Sequence, residues 1–157
     1  MIDVRLKKKV ALITGGSRGI GRAIAELFMK EGAEVVITSK NQKQLQQTSQ
    51  EIGNSFFVVG DVRNENDVKN VIDKTIKKFG RIDILINNAA LAKGRDRVPI
   101  VELDDDVFQR VLDVKALGTY LCTKAVLKVL IDQGEGGKII NIASGAGKRG
   151  FVKVIVE

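Results

Sequence analysis

The chain has no histidine, one cysteine (Cys122), one tyrosine (Tyr120) and one proline in 157 residues. Without histidine there is no His-based nucleophile triad, and a single soft ligand argues against a zinc site, so no metal is expected. One cysteine excludes an internal disulfide and fits a reducing compartment, which predicts a cytoplasmic protein. No apolar run approaches the ~20 residues that span a bilayer, and MIDVRLKKKV is too soon interrupted for a signal peptide. The chain is therefore expected to have no membrane partner. Aromatics are also scarce, at 4%, and the lysines behind the net charge of +7 are dispersed. That pattern reads as a solvated basic surface suited to a phosphorylated ligand, with no nucleic-acid partner.

What is present is a repeating alternation. Five short apolar runs recur: VALIT (10–14), VVITS (35–39), FFVVG (56–60), ILINN (84–88) and IINIAS (139–144). They are continuous, as parallel strands covered on both faces require. Between them lie helical stripes: Ile20, Ala23, Ile24, Leu27 and Phe28 in a first helix, and Val68, Val71, Ile72, Thr75, Ile76 and Phe79 in another. Residues 41–52 read as a more polar, surface helix. The segment 104–132 carries Val107, Val111, Val114, Gly118, Leu121, Ala125 and Val129 on one face, and QGEGG (133–137) ends it. Strand–helix alternation predicts a doubly wound, Rossmann-like parallel α/β sheet of five strands. A chain of this length can bury roughly 70% of its unfolded surface as one domain, 1–157, with 1–7 as a tail and 152–157 as an atypical end.

Directly after the first strand comes TGGSRGIG (14–21), followed by a helix. Glycines in this context allow a tight turn and a close approach of pyrophosphate to the unpaired amides of a helix N-terminus. Gly15, Ser17, Arg18, Gly19, Ile20 and Gly21 are accordingly candidate dinucleotide contacts. A carboxylate at the end of the second strand would hold the ribose hydroxyls of NAD. Here the chain reads Thr38-Ser39-Lys40, with no acid. Ser39 and Lys40, with Arg18, are expected to meet a 2′-phosphate, so NADP is favoured over NAD.

These residues resemble the short-chain dehydrogenase/reductase family. Its glycine motif is matched by Thr14, Gly15, Gly19 and Gly21. Asp61-Val62 matches the pair that flanks the adenine, and NNAA (87–90) resembles the family's Asn-Asn-Ala-Gly element, with Ala90 in place of glycine. The resemblance implies that Asn88, Ala89 and Ala90 line the cofactor ribose while Asn87 braces the sheet. It places Ser144, ending KIINIAS, at the catalytic serine position, and Lys115 where the family carries an asparagine of its proton relay. It implies hydride transfer between NADP(H) and a small-molecule carbonyl or alcohol, in a homo-oligomer.

Tyr120 and Lys124 have the spacing of the family's Tyr-three residues-Lys element, yet they lie 24 and 20 residues before Ser144 rather than about a dozen after it. At about 100° per residue from Val107, Tyr120 falls near 220°, away from the apolar face, and is expected to be a decoy. The true element is expected near residues 156–158, where KRGFVKVIVE stands instead. The sequence therefore reads as a C-terminally truncated member with impaired catalysis. The alternative is a non-catalytic NADP-binding module or remnant fragment acting through a partner. IINIAS is expected at the sheet edge, prone to self-association unless FVKVIVE folds back upon it.

Overall fold

A computed structural model of the chain describes residues 5–91 and 98–145. The five apolar runs form one parallel sheet: β1 (Val10–Thr14), β2 (Glu34–Ser39), β3 (Phe56–Val59), β4 (Ile84–Asn87) and β5 (Lys138–Asn141). The spatial order is β3-β2-β1-β4-β5, so the order reverses between β1 and β4. That reversal opens a crevice at the carboxyl ends of the strands. Leu12, Ile13, Val36, Ile37, Leu85 and Ile86 are almost wholly buried, which is why the central strands carry apolar residues without alternation.

Helices cover both faces. On one side α1 (Gly19–Lys30) and α2 (Gln42–Glu51) pack over Ala11, Ile13, Val35 and Ile37. On the other, residues of α3 (Glu65–Phe79) and α5 (Gly118–Gln133) pack over Leu12, Val36 and Leu85, and α4 (Asp105–Leu112) precedes α5 in the chain. Asn64 caps α3 by accepting from the backbone N–H groups of Asn66 and Asp67, and Gly80 ends it in a left-handed conformation.

The first helix departs from its sequence reading. Ile20 and Leu27 are 63% and 55% exposed, Ala23 is exposed, and the buried contacts are Gly21 and Ala25. Only Ile24 and Phe28 of the expected stripe pack against the core. Small residues face the sheet because the helix start must approach the β1 turn closely. The long segment also departs from its reading. A π-turn, Asp113–Leu117, separates α4 from α5, and the N–H of Gly118 donates to the Asp113 carbonyl. After the expected Val107, Val111, Val114, Gly118 and Leu121, the buried face runs through Cys122, Val126 and Leu130, leaving Ala125 and Val129 at its flank.

Residues 5–7 are not a loose tail, because the N–H of Leu6 donates to the Glu31 carbonyl at 2.9 Å and Leu6 packs on the core. Among the described residues β5 is a sheet edge, as expected, with Ile140 and Ile142 exposed. Residues 1–4 and the FVKVIVE segment lie outside the described residues.

At the opposite end from the crevice, Asp83 is buried and accepts from the N–H of Val10 at 2.9 Å, from Arg81 at 3.0 and 2.7 Å, and from Lys9 at 3.3 Å. Burial alone would raise its carboxyl, but the bonds from Arg81, Val10 and Lys9 outweigh it and hold the group below its ordinary value. A carboxyl depressed on folding stabilises the fold above its unfolded value near 4, and that contribution is lost as pH falls through the folded value. Asp83→Asn is expected to cost about 3 kcal/mol at neutral pH. Urea unfolding at pH 7 and at pH 3 checks both statements, because the gap between variant and parent should narrow in acid.

Candidate functional site

The crevice is built on Thr14, the last residue of β1. Its hydroxyl accepts from the N–H groups of Asn88 and Ala89, each at 3.0 Å, and donates to the Ile86 carbonyl at 3.3 Å. Asn88 reciprocates: its carboxamide nitrogen donates to the carbonyls of Thr14 at 3.0 Å and Gly15 at 3.2 Å. The ends of two adjacent parallel strands are thus tied together, and the glycine turn hangs from that tie. Asn87, as expected, braces the sheet, donating to Asn141 at 2.9 Å and Thr123 at 3.1 Å.

Within the turn the glycines have different duties. A Cβ on Gly21 would lie 2.5 Å from both the Asn88 amide nitrogen and the Gly15 carbonyl, so only glycine lets α1 start here. Gly19 has φ +54° and nothing within 4 Å of a notional Cβ, leaving open space at the helix N-terminus. Arg18 precedes the helix in extended conformation and is exposed. Ser17 is buried, donates to Gln44 at 3.3 Å, and offers its carbonyl to Thr48. Ile20 stands exposed beside them.

Beyond the turn lies a cleft of about 90 Å³ lined by residues that include Gly15, Ser39, Lys40, Asp61, Val62, Ala89 and Ala90. The sequence expectations for these seven residues therefore converge on one place. Thr38 and Val114 also line it, and the Thr38 hydroxyl is buried without a hydrogen-bond partner. Asp61 is gripped by Arg63 at 2.7 Å, and that guanidinium, more than the Lys40 ammonium at 3.9 Å, holds the Asp61 carboxyl below its ordinary value. Arg63 and Thr38 were not singled out from the sequence; an acid followed two residues later by arginine, in a short loop after a strand, is the signal that could have found the first.

Lys115 lies half-buried in the π-turn, next to Val114 of the cleft, and Ser144 is exposed three residues past the end of β5. A π-turn breaks the helical ladder and often marks a functional position. Tyr120 behaves as the helical count predicts. It is 57% exposed on the outer side of α5, with the Lys124 ammonium 5.8 Å from its ring centre and 3.4 Å from Glu65. The phenol and ammonium do share a helix face, on the exposed side of α5.

The residues fit a dinucleotide. A turn narrowed by Gly15 and Gly21 and open at Gly19 presents helix amides to a pyrophosphate, and a cleft with an acid, a hydroxyl and a lysine adjoins it. Among the described residues no cluster of His, Cys, Asp and Glu could hold a metal, and no helix is long and apolar enough to cross a membrane.

Comparison with known proteins agrees with the geometry. The short chain dehydrogenase family profile matches residues 9–156. Sorbitol dehydrogenase of Cereibacter sphaeroides is 42% identical over 148 residues, covering 94% of this chain and 57% of that protein. A short chain dehydrogenase crystal structure from Bacillus anthracis superposes with a TM-score of 0.88 at 39% identity, over 95% of this chain and 60% of that one. An NAD⁺-bound xylitol dehydrogenase gives 0.89 at 30% identity, over 96% and 58%. The chain thus spans somewhat over half the length of these relatives.

Two measurements test the local account. Thr14→Val removes the acceptor for two N–H groups and is expected to lower stability by about 1–3 kcal/mol in chemical denaturation, with Thr14→Ser recovering most of it. Burial pushes the Cys122 thiol up to about 12. Cys122 is therefore expected to react with a disulfide reagent at neutral pH far more slowly in the native chain than in urea. A glycine turn between β1 and α1, a parallel sheet whose order reverses beside it, and the profile match over nearly the whole sequence together make this chain a member of the short-chain dehydrogenase family.

Proposed function

We propose that this chain binds NADP(H) in the crevice, as the dinucleotide-holding part of an oxidoreductase that acts on a small alcohol or carbonyl compound. The family's nicotinamide dinucleotide supplies the hydride. In this reading the amides at the start of α1, with Gly15, Ser17, Gly19, Ile20 and Gly21, hold the pyrophosphate. Asp61 and Val62 flank the adenine, and Asn88, Ala89 and Ala90 line a ribose. Ser144 hydrogen-bonds the substrate oxygen, with Lys115 at the position of the relay asparagine. The observation that carries the proposal is the convergence of the glycine turn and Lys40 on one cleft.

NADP rather than NAD is proposed because β2 ends at Ser39 and is followed by Lys40, without an acid, and Arg18 stands exposed at the turn. The xylitol dehydrogenase relative carries NAD⁺, so this preference distinguishes the chain from that neighbour. We place the protein in a reducing, cytoplasmic setting, in line with its single buried, unpaired cysteine. Phe108, Leu112, Tyr120, Leu127 and Ile131 are exposed at helical spacing along α4 and α5, which supports self-association through that outer face.

A second reading, a non-catalytic NADP-binding module, is supported by the outward position of the chain's one tyrosine. Calorimetric titration is expected to give NADP an affinity about tenfold or more above NAD, reduced toward parity in Lys40→Ala. Equal, millimolar affinities for both would remove the phosphate argument. Incubation with NADPH and a panel of ketones and keto-sugars then separates the two readings. Oxidation above the buffer rate supports the enzyme, and tight binding without turnover supports the module.

A further inference from the structure

This inference rests on the NADP reading and concerns what sets its phosphate preference. Asp61, two residues beyond β3, takes four hydrogen bonds from a single neighbour. The Arg63 backbone N–H reaches Oδ1 at 3.1 Å, Nε reaches both oxygens at 3.1 Å, and Nη2 reaches Oδ2 at 2.7 Å. The loop is held from behind as well, since the Asp61 N–H donates to Asp67 at 2.9 Å on α3. The carboxylate is therefore fixed and its acceptor positions facing Arg63 are filled.

Lys40 stands on the other side of the same carboxylate. Its ammonium is 3.9 Å from Oδ2, a charge contact beyond hydrogen-bond length, and its side chain is 59% exposed. A lysine on a flexible four-carbon stem closes such a gap readily when a carboxylate lacks another partner. Lys40 and Asp61 both line the cleft, so a closed Lys40–Asp61 pair would neutralise the cation that a 2′-phosphate needs. Arg63 is not among the lining residues and meets the cleft through Asp61.

We propose that Arg63 is a positioning residue for cofactor choice: by occupying the Asp61 carboxylate it keeps the Lys40 ammonium available to the 2′-phosphate. Loss of Arg63 lets Asp61 recruit Lys40 and narrows the discrimination between the two dinucleotides. A purely structural role would weaken NADP and NAD together, whereas this role changes their ratio.

The test is a double-mutant cycle on the full chain, reading dissociation constants for NADP and NAD by calorimetry in the parent, Arg63→Ala, Lys40→Ala and the double variant. Arg63→Ala is expected to lower the NADP/NAD preference about fivefold when Lys40 is present and to leave it unchanged in the Lys40→Ala background. An unchanged ratio, or an equal drop in both backgrounds, overturns the proposal, the second because Arg63 would then act on the phosphate by its own charge. Arg63→Met, which retains a long stem, takes the place of Arg63→Ala should circular dichroism show that variant unfolded. A parent with no preference overturns the NADP reading itself. A parent that prefers NADP without coupling between positions 40 and 63 overturns this inference alone.

Discussion

The crevice depends on one hydroxyl. Thr14 accepts two backbone N–H groups from the start of the β4 loop, and Asn88 answers by donating to the carbonyls of Thr14 and Gly15. These bonds satisfy backbone groups that the parallel ladder releases where β1 and β4 part. They also set the distance between the glycine turn and residues 88–90. Gly21 then has to be glycine, since α1 starts against that same carboxamide. The exposure of Ile20 and Leu27 follows from this: a helix pressed onto the sheet through Gly21 and Ala25 turns its larger side chains outward.

The charges around the cleft are arranged in series. Arg63 satisfies Asp61, Asp61 stands within charge range of Lys40, and Lys40 faces open space. In the proposal above the guanidinium acts by occupying the acid, so that the Lys40 ammonium stays available, without itself lining the cleft. At the far end of the sheet, Asp83 gathers Lys9, Val10 and Arg81 in a similar way, at the start of β4.

Much of this was legible in the residues. The five strands were readable because burial on both faces demands unbroken apolar runs, and the glycine turn because its strand and helix context is so restrictive. Tyr120 is exposed, as the helical count expects, although that count runs through a π-turn it does not register. Other features escaped. Apolar periodicity weights large side chains, so the true contact face of α1, made of Gly21 and Ala25, was masked by Ile20, Ala23 and Leu27. A count at 3.6 residues per turn also cannot register the π-turn at Asp113–Leu117, which moves the buried face toward Cys122, Val126 and Leu130. The tie between Asn88 and the glycine turn was hidden for another reason. Asparagine was assigned to the ligand, and only three-dimensional contacts show its amide directed at the turn's carbonyls.

The most direct measurement is a crystal structure of the chain grown with NADP. The account expects the pyrophosphate against the amides at the start of α1, beside Gly19, and the 2′-phosphate within reach of Lys40. A dinucleotide bound at any other surface, or a crevice that stays vacant at ligand concentrations that saturate the protein in solution, would contradict it.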